Sequence, residues 1–394
     1  MLGQSQPRES VRRAYIPILA LCFVLFVVLG LPDGVVGTVW PTLRGDIGLA
    51  VGDLGWLVAG RTVGFVAATV VSGHVTRRWG TSRTLLAAIA LSVVGYAWMS
   101  VAGNLATILA ASVIAGAGSG WVDPVLNAWV ALRHDARAMG LLHAFFGVGA
   151  AIGPPFATGV INVGWSWRAV FVTLLVLELI LGVVVWWHRS GFDDDTPVEA
   201  ATGRVDGGRA PRLLLGLMLA WFFLIVGTEL SVGSWSFSLL VEERGVANTA
   251  AAAWVAAFWV TFTAGRFAMG AFGDRLRLIP SLWWSIGFTG LGAILLWANP
   301  TWLPVGLALP LMGGGGALLF PVMVLLTPQW LGPANTGVAT GYQLAAASLG
   351  AVSFAVAIGR LADRYSLELL GPVLVAATAA IAVNLWLMVR ARPG

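Results

Sequence analysis

Four carboxylates, Asp33, Asp123, Glu178 and Glu229, stand inside long apolar runs of this chain. An ionisable group in such a run is expensive to keep, so it is a functional suspect by default. In low dielectric a carboxylic acid holds its proton more tightly, which moves proton exchange into the physiological range. A proton-coupled carrier requires that property. Three of the acids belong to stripes of small and polar residues. Gly116, Gly120, Asp123 and Asn127 are spaced by four, three and four, which puts them on one face of a helix. Glu229, Gly233 and Ser236 share a second face, and Asp33, Gly37 and Trp40 a third. Each stripe is expected to line a cavity, with Asp33, Asp123 and Glu229 as proton-coupling residues. Glu178 fits better as a structural acid.

Aromatic faces suit the apolar side of a pyranose ring, and amides or carboxylates suit its hydroxyls. Trp121, Trp129, Trp235, Trp254 and Trp259 could supply the faces, and Asn127, His143, Gln343 and Tyr342 the polar contacts. The same tryptophans would equally serve an interfacial belt. Arg61 and Arg266 also fall within apolar runs, where they could snorkel, pair with a cavity acid or meet an anionic substrate. Gly313 to Gly316, after Pro310, leaves four positions without side chains where a helix can bend. No spacing of nucleophile and base, of metal ligands or of cofactor contacts is present, so no catalytic, metal or cofactor residue is assigned. The single cysteine, Cys22, excludes an intramolecular disulfide.

The chain that must position these groups has 394 residues, 58% of them hydrophobic and 10% charged. A soluble domain carries about 25% charged residues, so the solvent here is largely lipid. The formal charge of +5 is dispersed between apolar runs rather than gathered in a patch, which argues against nucleic acid. A spanning helix needs roughly 20 apolar residues. Cutting at charges, prolines and glycines predicts twelve helices: 15–40, 54–75, 84–102, 105–131, 138–162, 168–188, 212–240, 250–272, 280–298, 300–327, 336–359 and 367–389. Every basic residue is arginine, and with the N-terminus inside 16 arginines face the cytoplasm against 5 on the other side. Both termini are therefore expected to be cytoplasmic in a multi-pass protein of the inner membrane. The polar stretch 189–211, with Asp193, Asp194 and Asp195, reads as a flexible linker between a bundle at 1–188 and another at 212–394.

Tested against itself at an offset of 197 residues, the chain matches eight glycine pairs, among them Gly95/Gly292, Gly116/Gly313, Gly118/Gly315 and Gly153/Gly350. About 3 are expected by chance. At an offset of 196, Asp33 meets Glu229 and Gly37 meets Gly233. Duplicated six-helix bundles with a site between them near the midplane are an architecture of secondary transporters.

Two loops carry a resemblance. Gly270-Ala271-Phe272-Gly273-Asp274-Arg275 and Gly73-His74-Val75-Thr76-Arg77-Arg78 resemble the GxLaDRxG loop of the major facilitator superfamily. In the first-half copy Arg77 stands where the aspartate belongs. The resemblance implies an all-α polytopic fold of two pseudo-symmetric six-helix bundles, cavity-lining helices 1, 4 and 7, and a gating role for Gly73, Arg78, Gly270, Asp274 and Arg275. The string from Gly118 to Asn127 is similar to the GxGxxExxxN segment of the fucose and glucose permease group, with Asp123 at its acidic position. That similarity implies a monomeric symporter for a hexose-like sugar, coupled to protons or to sodium. Gly149 to Pro154 resembles the GxxxGP core of an antiporter motif, which leaves a proton-driven drug exporter as the alternative.

Overall fold

In a bilayer the backbone has no water to bond to, so each spanning segment must satisfy its own amides as a helix. A computed structural model describes residues 16–134, 136–193, 212–272, 277–332 and 335–392. Its spanning helices are α1 Ile16–Ile47, α2 Asp53–Trp79, α3 Thr81–Val101, α4 Leu105–Arg133, α5 Ala136–Asn162, α6 Trp167–Trp187, α7 Arg212–Ser238, α8 Asn248–Phe272, α9 Leu278–Ala298, α10 Ala308–Leu331, α11 Thr336–Arg364 and α12 Leu370–Ala391. Among the described residues, eleven helices are long and apolar enough to cross a membrane. The twelfth, α8, has the length, with 25 residues; Asn248, Arg266 and several threonines make it more polar. Asn104 starts α4 with a capping box, its side chain accepting from the Thr107 N–H at 3.0 Å.

Several boundaries differ from the sequence expectation: α1 runs on from 40 to Ile47 and α11 from 359 to Arg364, and three further differences have visible causes. α10 begins at Ala308 rather than near 300, because Pro300 and Pro304 fold that stretch into turns closed by Leu303 and Leu307 N–H groups. α10 is also interrupted, one piece ending at Gly316 and the next starting at Leu319, so the glycine run does coincide with a break. The start of the expected linker is docked rather than free. Arg189–Phe192 forms a short helix, and Phe192 is buried against Trp129 with ring centroids 5.6 Å apart. The Ser82 N–H donates to Asp193 Oδ1 at 2.8 Å and its hydroxyl to Oδ2, which caps α3. Residues 194–211 lie outside those described.

The duplication is visible as packing. A Cβ on Gly116 would fall on the carbonyl oxygen of Arg61, and one on Gly313 on that of Phe258, where each partner is displaced by the same 197 residues. Gly118 abuts Ala88 and Ser92, and Gly315 abuts Ser285 and Thr289; Gly95 meets Ala115, and Gly292 meets Met312. Two acids echo the repeat. Asp46 accepts from Trp167 Nε1 at 3.0 Å and pairs with Arg168 at the start of α6. Glu243 accepts from the Ser366 hydroxyl and the Leu367 N–H, both at 3.1 Å, just before α12.

Between the bundles, contact is made at the middle of the molecule and at the end away from the chain's termini. Arg44 of α1 pairs with Glu242 beyond α7, and the Gly52 N–H donates to Asp363 Oδ1 at 2.7 Å. Gly37 lies against the Ser234 carbonyl, Gly55 against that of Ala355, and Gly147 against the Thr263 hydroxyl. Nearer the termini, the next turns of α5 and α8 are exposed at His143 and Phe267. The described side chains therefore leave the bundles more open at the end where α1 begins and α12 ends.

The glycine seams predict a sharp contrast. Gly116→Val should lower the thermal unfolding temperature, because overpacking costs about 1–3 kcal/mol. Gly140→Ala should leave it unchanged, since a Cβ there meets nothing. Size-exclusion thermal-shift curves of the two variants check this, and equal curves would remove the seam from the account.

Candidate functional site

A cavity of about 80 Å³ lies between the bundles. Pro32, Asp33, Arg61 and Tyr96 line it from the first bundle, and Gly233, Ser234 and Trp259 from the second. Arg61 reaches from α2 to pair with Asp33 on α1. This resolves what the sequence left open for Arg61, because its counter-charge is a cavity acid. Its Nε remains buried without a partner. Behind the pair, Tyr96 lies within electrostatic reach of Asp33, Arg61 and Glu178. Glu178 is buried in α6, outside the cavity lining.

A second, tight hollow lies inside the second bundle, lined by Thr228, Glu229, Phe258, Phe262, Thr289 and Met312 among others. Glu229 feels the charges of Arg266 and Asp33, yet it has no hydrogen bond or ion pair among the described residues. Arg266 sits one turn beyond Phe262, its guanidinium carbon 4.1 Å from the ring centroid, with a buried Nε that bonds nothing. His143 of α5 is edge-on to Phe26 at 5.8 Å and within electrostatic reach of Arg266. Asp33, Glu229, Arg266 and His143 thus come together from α1, α7, α8 and α5, drawing on both bundles.

The other expected residues lie elsewhere. The glycines of the α4 stripe do not line a cavity: Gly116 and Gly120 close against α2 carbonyls, and Thr69 donates to the Gly120 carbonyl at 3.0 Å. Absent side chains bring backbones together, so the face that looked open is the most tightly packed. At the end of that stripe Asn127 donates to the Asp123 carbonyl at 2.9 Å and to its Oδ1 at 3.1 Å. The stripe's acid is held within its own helix. Trp121 is edge-on to Trp79 at 6.2 Å. Trp235 is fully buried with an unbonded Nε1, and Trp254 covers Gly306. Gln343 is buried in the second bundle, where its amide donates to the Thr327 hydroxyl at 3.0 Å, and neighbouring Tyr342 is exposed. Gly73 and Arg78 are exposed near the end of α2. Gly270 lies near the end of α8, whereas Asp274 and Arg275 lie outside the described residues.

Trp259 is one of the expected aromatic faces and does line the cavity, whereas sequence reasoning did not select Tyr96, Ser234, Phe258 or Phe262. A signal existed for part of the set, since Trp259, Phe262 and Arg266 recur at helical spacing on one face. The Asp33–Arg61 pair carries a testable consequence. Either Asp33→Asn or Arg61→Gln orphans a partly buried charge and should cost about 3–5 kcal/mol. The double variant should regain most of it. A double-mutant cycle in detergent-solubilised protein reads this out, and additive losses would show that the pair is not coupled.

A family model described as Major Facilitator Superfamily matches residues 22–238. Similar proteins include the Saccharomyces cerevisiae bypass of stop codon protein 6, 24% identical over 284 residues, 64% of this chain and 56% of that protein. The hexuronate transporter of Bacillus subtilis is 21% identical over 244 residues, 59% of this chain and 58% of the transporter. The matches to these two thus span little more than half of each relative. The 3-(3-hydroxy-phenyl)propionate transporter of Escherichia coli is 24% identical over 371 residues, covering 90% of this chain and 89% of the relative. Among solved structures, a point variant of the nucleoside transporter NupG superposes with a TM-score of 0.77 at 13% identity, covering 94% of this chain and 99% of that one. The transporter FucP in its outward conformation superposes at 0.62 with 15% identity, covering 95% and 99%.

Proposed function

The chain belongs to the major facilitator superfamily, and from that premise we propose that it is a proton-coupled symporter of a hexose-like sugar, working by alternating access of its two bundles. The superfamily assignment makes it a membrane transporter rather than an enzyme. One observation carries the finer reading. Two carboxyls at repeat-related positions, Asp33 and Glu229, lie within electrostatic reach of each other at the interface of the bundles. Asp33 is held by Arg61, and Glu229 has no such tie.

The roles follow from that asymmetry. Glu229, in an apolar hollow and without a salt bridge, is the acid free to change protonation as the cleft changes sides. Asp33, neutralised by Arg61, keeps the cavity polar, and Asp123 with Asn127 gives the first bundle a further acid. A sugar ring in the cavity would rest on Trp259 and bond to Ser234 and Tyr96. The contacts of Arg44 with Glu242 and of Gly52 with Asp363 close one mouth while the other is open, and they must break when the cleft reverses. The arginine count supports an open mouth facing the cytoplasm of an inner membrane. A single chain contains every group invoked, which supports a monomeric working unit. A relative named for hexuronate supports a polar, sugar-sized solute.

The aromatic cluster of Phe258, Trp259 and Phe262 favours a second reading, export of a flat cationic drug. Protein in liposomes loaded with a pH dye separates the two. Hexose-like sugars, neutral or acidic, should drive proton entry without sodium, and Glu229→Gln should lower that entry at least tenfold while sugar counterflow persists. Asp123→Asn is expected to weaken accumulation likewise. Wild-type proton entry in Glu229→Gln would sink the coupling assignment, and drug-driven loss of an imposed proton gradient with no response to sugars would establish the exporter.

A further inference from the structure

We infer that the transported solute carries a carboxylate, bound by Arg266 with His143 at the apex of the open cleft, and that this anion displaces Glu229 as the counter-charge of Arg266. The second half of the statement rests on Glu229 as the coupling acid proposed above. Arg44, Arg61, Arg168 and Arg244 each hold a carboxylate of the protein. Arg266 lies deep in a spanning helix and holds none: Glu229 is near enough to be felt but makes no ion pair with it. An unpaired guanidinium at that depth is costly, and a bidentate carboxylate is the ligand that its fork fits.

The position of Arg266 makes such a ligand reachable. Thr263, one turn before it on α8, meets Gly147 of α5, and that contact is the floor of the cleft. His143 lies one turn from Gly147 on α5, on the open side, and is exposed. His143 and Arg266 stand near each other on that side, one from each bundle. The buried rings of Phe262 and Phe26 flank the two polar groups. The charged groups facing Glu229 are Arg266 of α8 and Asp33 of α1, and His143 of α5 faces Arg266 in turn.

Charge then balances without a further partner. Before binding, ionised Glu229 offsets Arg266. When the solute's carboxylate takes the guanidinium, Glu229 loses its counter-charge and gains one proton. The loaded site has gained one anion and one proton, a net change of zero. Release of the carboxylate frees Arg266, and Glu229 gives the proton up. Transport on this scheme is electroneutral.

The test compares galacturonate with galactose, and 3-phenylpropionate with 3-phenylpropanol, by titration of the purified full chain and by uptake into proteoliposomes. The wild type should bind at least one acid tenfold or more tighter than its neutral counterpart. Uptake of that acid should carry protons and ignore a membrane potential clamped with potassium and valinomycin. Arg266→Gln should abolish the preference, and Arg266→Lys should retain part of it. His143→Gln, which leaves Arg266 in place, should weaken acid binding without reversing the preference. Binding of neither acid, or an unchanged preference in Arg266→Gln, would overturn the inference. Proton-coupled galactose uptake that is equal in wild type and Arg266→Gln would overturn it while leaving the symporter reading intact. Loss of proton coupling to every solute in the wild type would instead remove the symporter reading.

Discussion

Helices in lipid gain nothing by hiding apolar side chains from one another, so they must be held by close contact and by the few polar groups that find partners. This chain meets that constraint with glycine. Gly116 on Arg61, Gly313 on Phe258, Gly30 on Phe146 and Gly350 on Phe223 each bring one helix onto the backbone of the next. The contacts lie within a bundle and make each bundle a unit. Between the bundles the seams are fewer and are supplemented by polar contacts, the Arg44–Glu242 pair and the Gly52–Asp363 hydrogen bond. Tight joints within and lighter joints between are the mechanical requirement for two bodies that rock against each other.

The charges follow a different rule. Near the bundle ends they are paired locally, as Arg168 is with Asp46 and Arg244 with Glu368, whose bonds to Nε and Nη2 are 2.8 and 2.6 Å. At the interface one pair is complete and the other is not. Asp33 and Arg61 neutralise each other across the α1–α2 contact. Glu229 and Arg266 stand apart, each leaving the other's charge only partly answered. An incomplete pair at the meeting line of two moving bodies is where a proton or a solute can change the balance of charge.

Much of this was legible in the sequence. Segment lengths and arginine positions gave the helices, the offset of 197 gave the duplication, and the cost of buried charge pointed to Asp33 and Glu229. Less legible were the neighbours. Spacing assigns Gly116, Gly120 and Asp123 to one face but does not say what that face meets, and α2 closes on it. Gln343 reads as a solute ligand by its polarity, yet Thr327, sixteen residues away, takes its amide inside the bundle. The partner of Arg61 lies 28 residues back on another helix. Phe192 and Asp193 look like the start of a polar linker because their docking partners, Trp129 and Ser82, are far along the chain. Periodicity fixes a face; tertiary packing chooses its partner.

The repeat-related seams have an evolutionary consequence. Gly116 and Gly313 both rest on a carbonyl oxygen, and that oxygen is the same atom whether the residue bearing it is Arg61 or Phe258. The side chains at those two positions were therefore free to diverge after duplication, one into a cation and the other into an aromatic wall, without loosening the joint. A scaffold joined through main-chain atoms can have its binding chemistry rewritten one side chain at a time while its geometry is inherited intact.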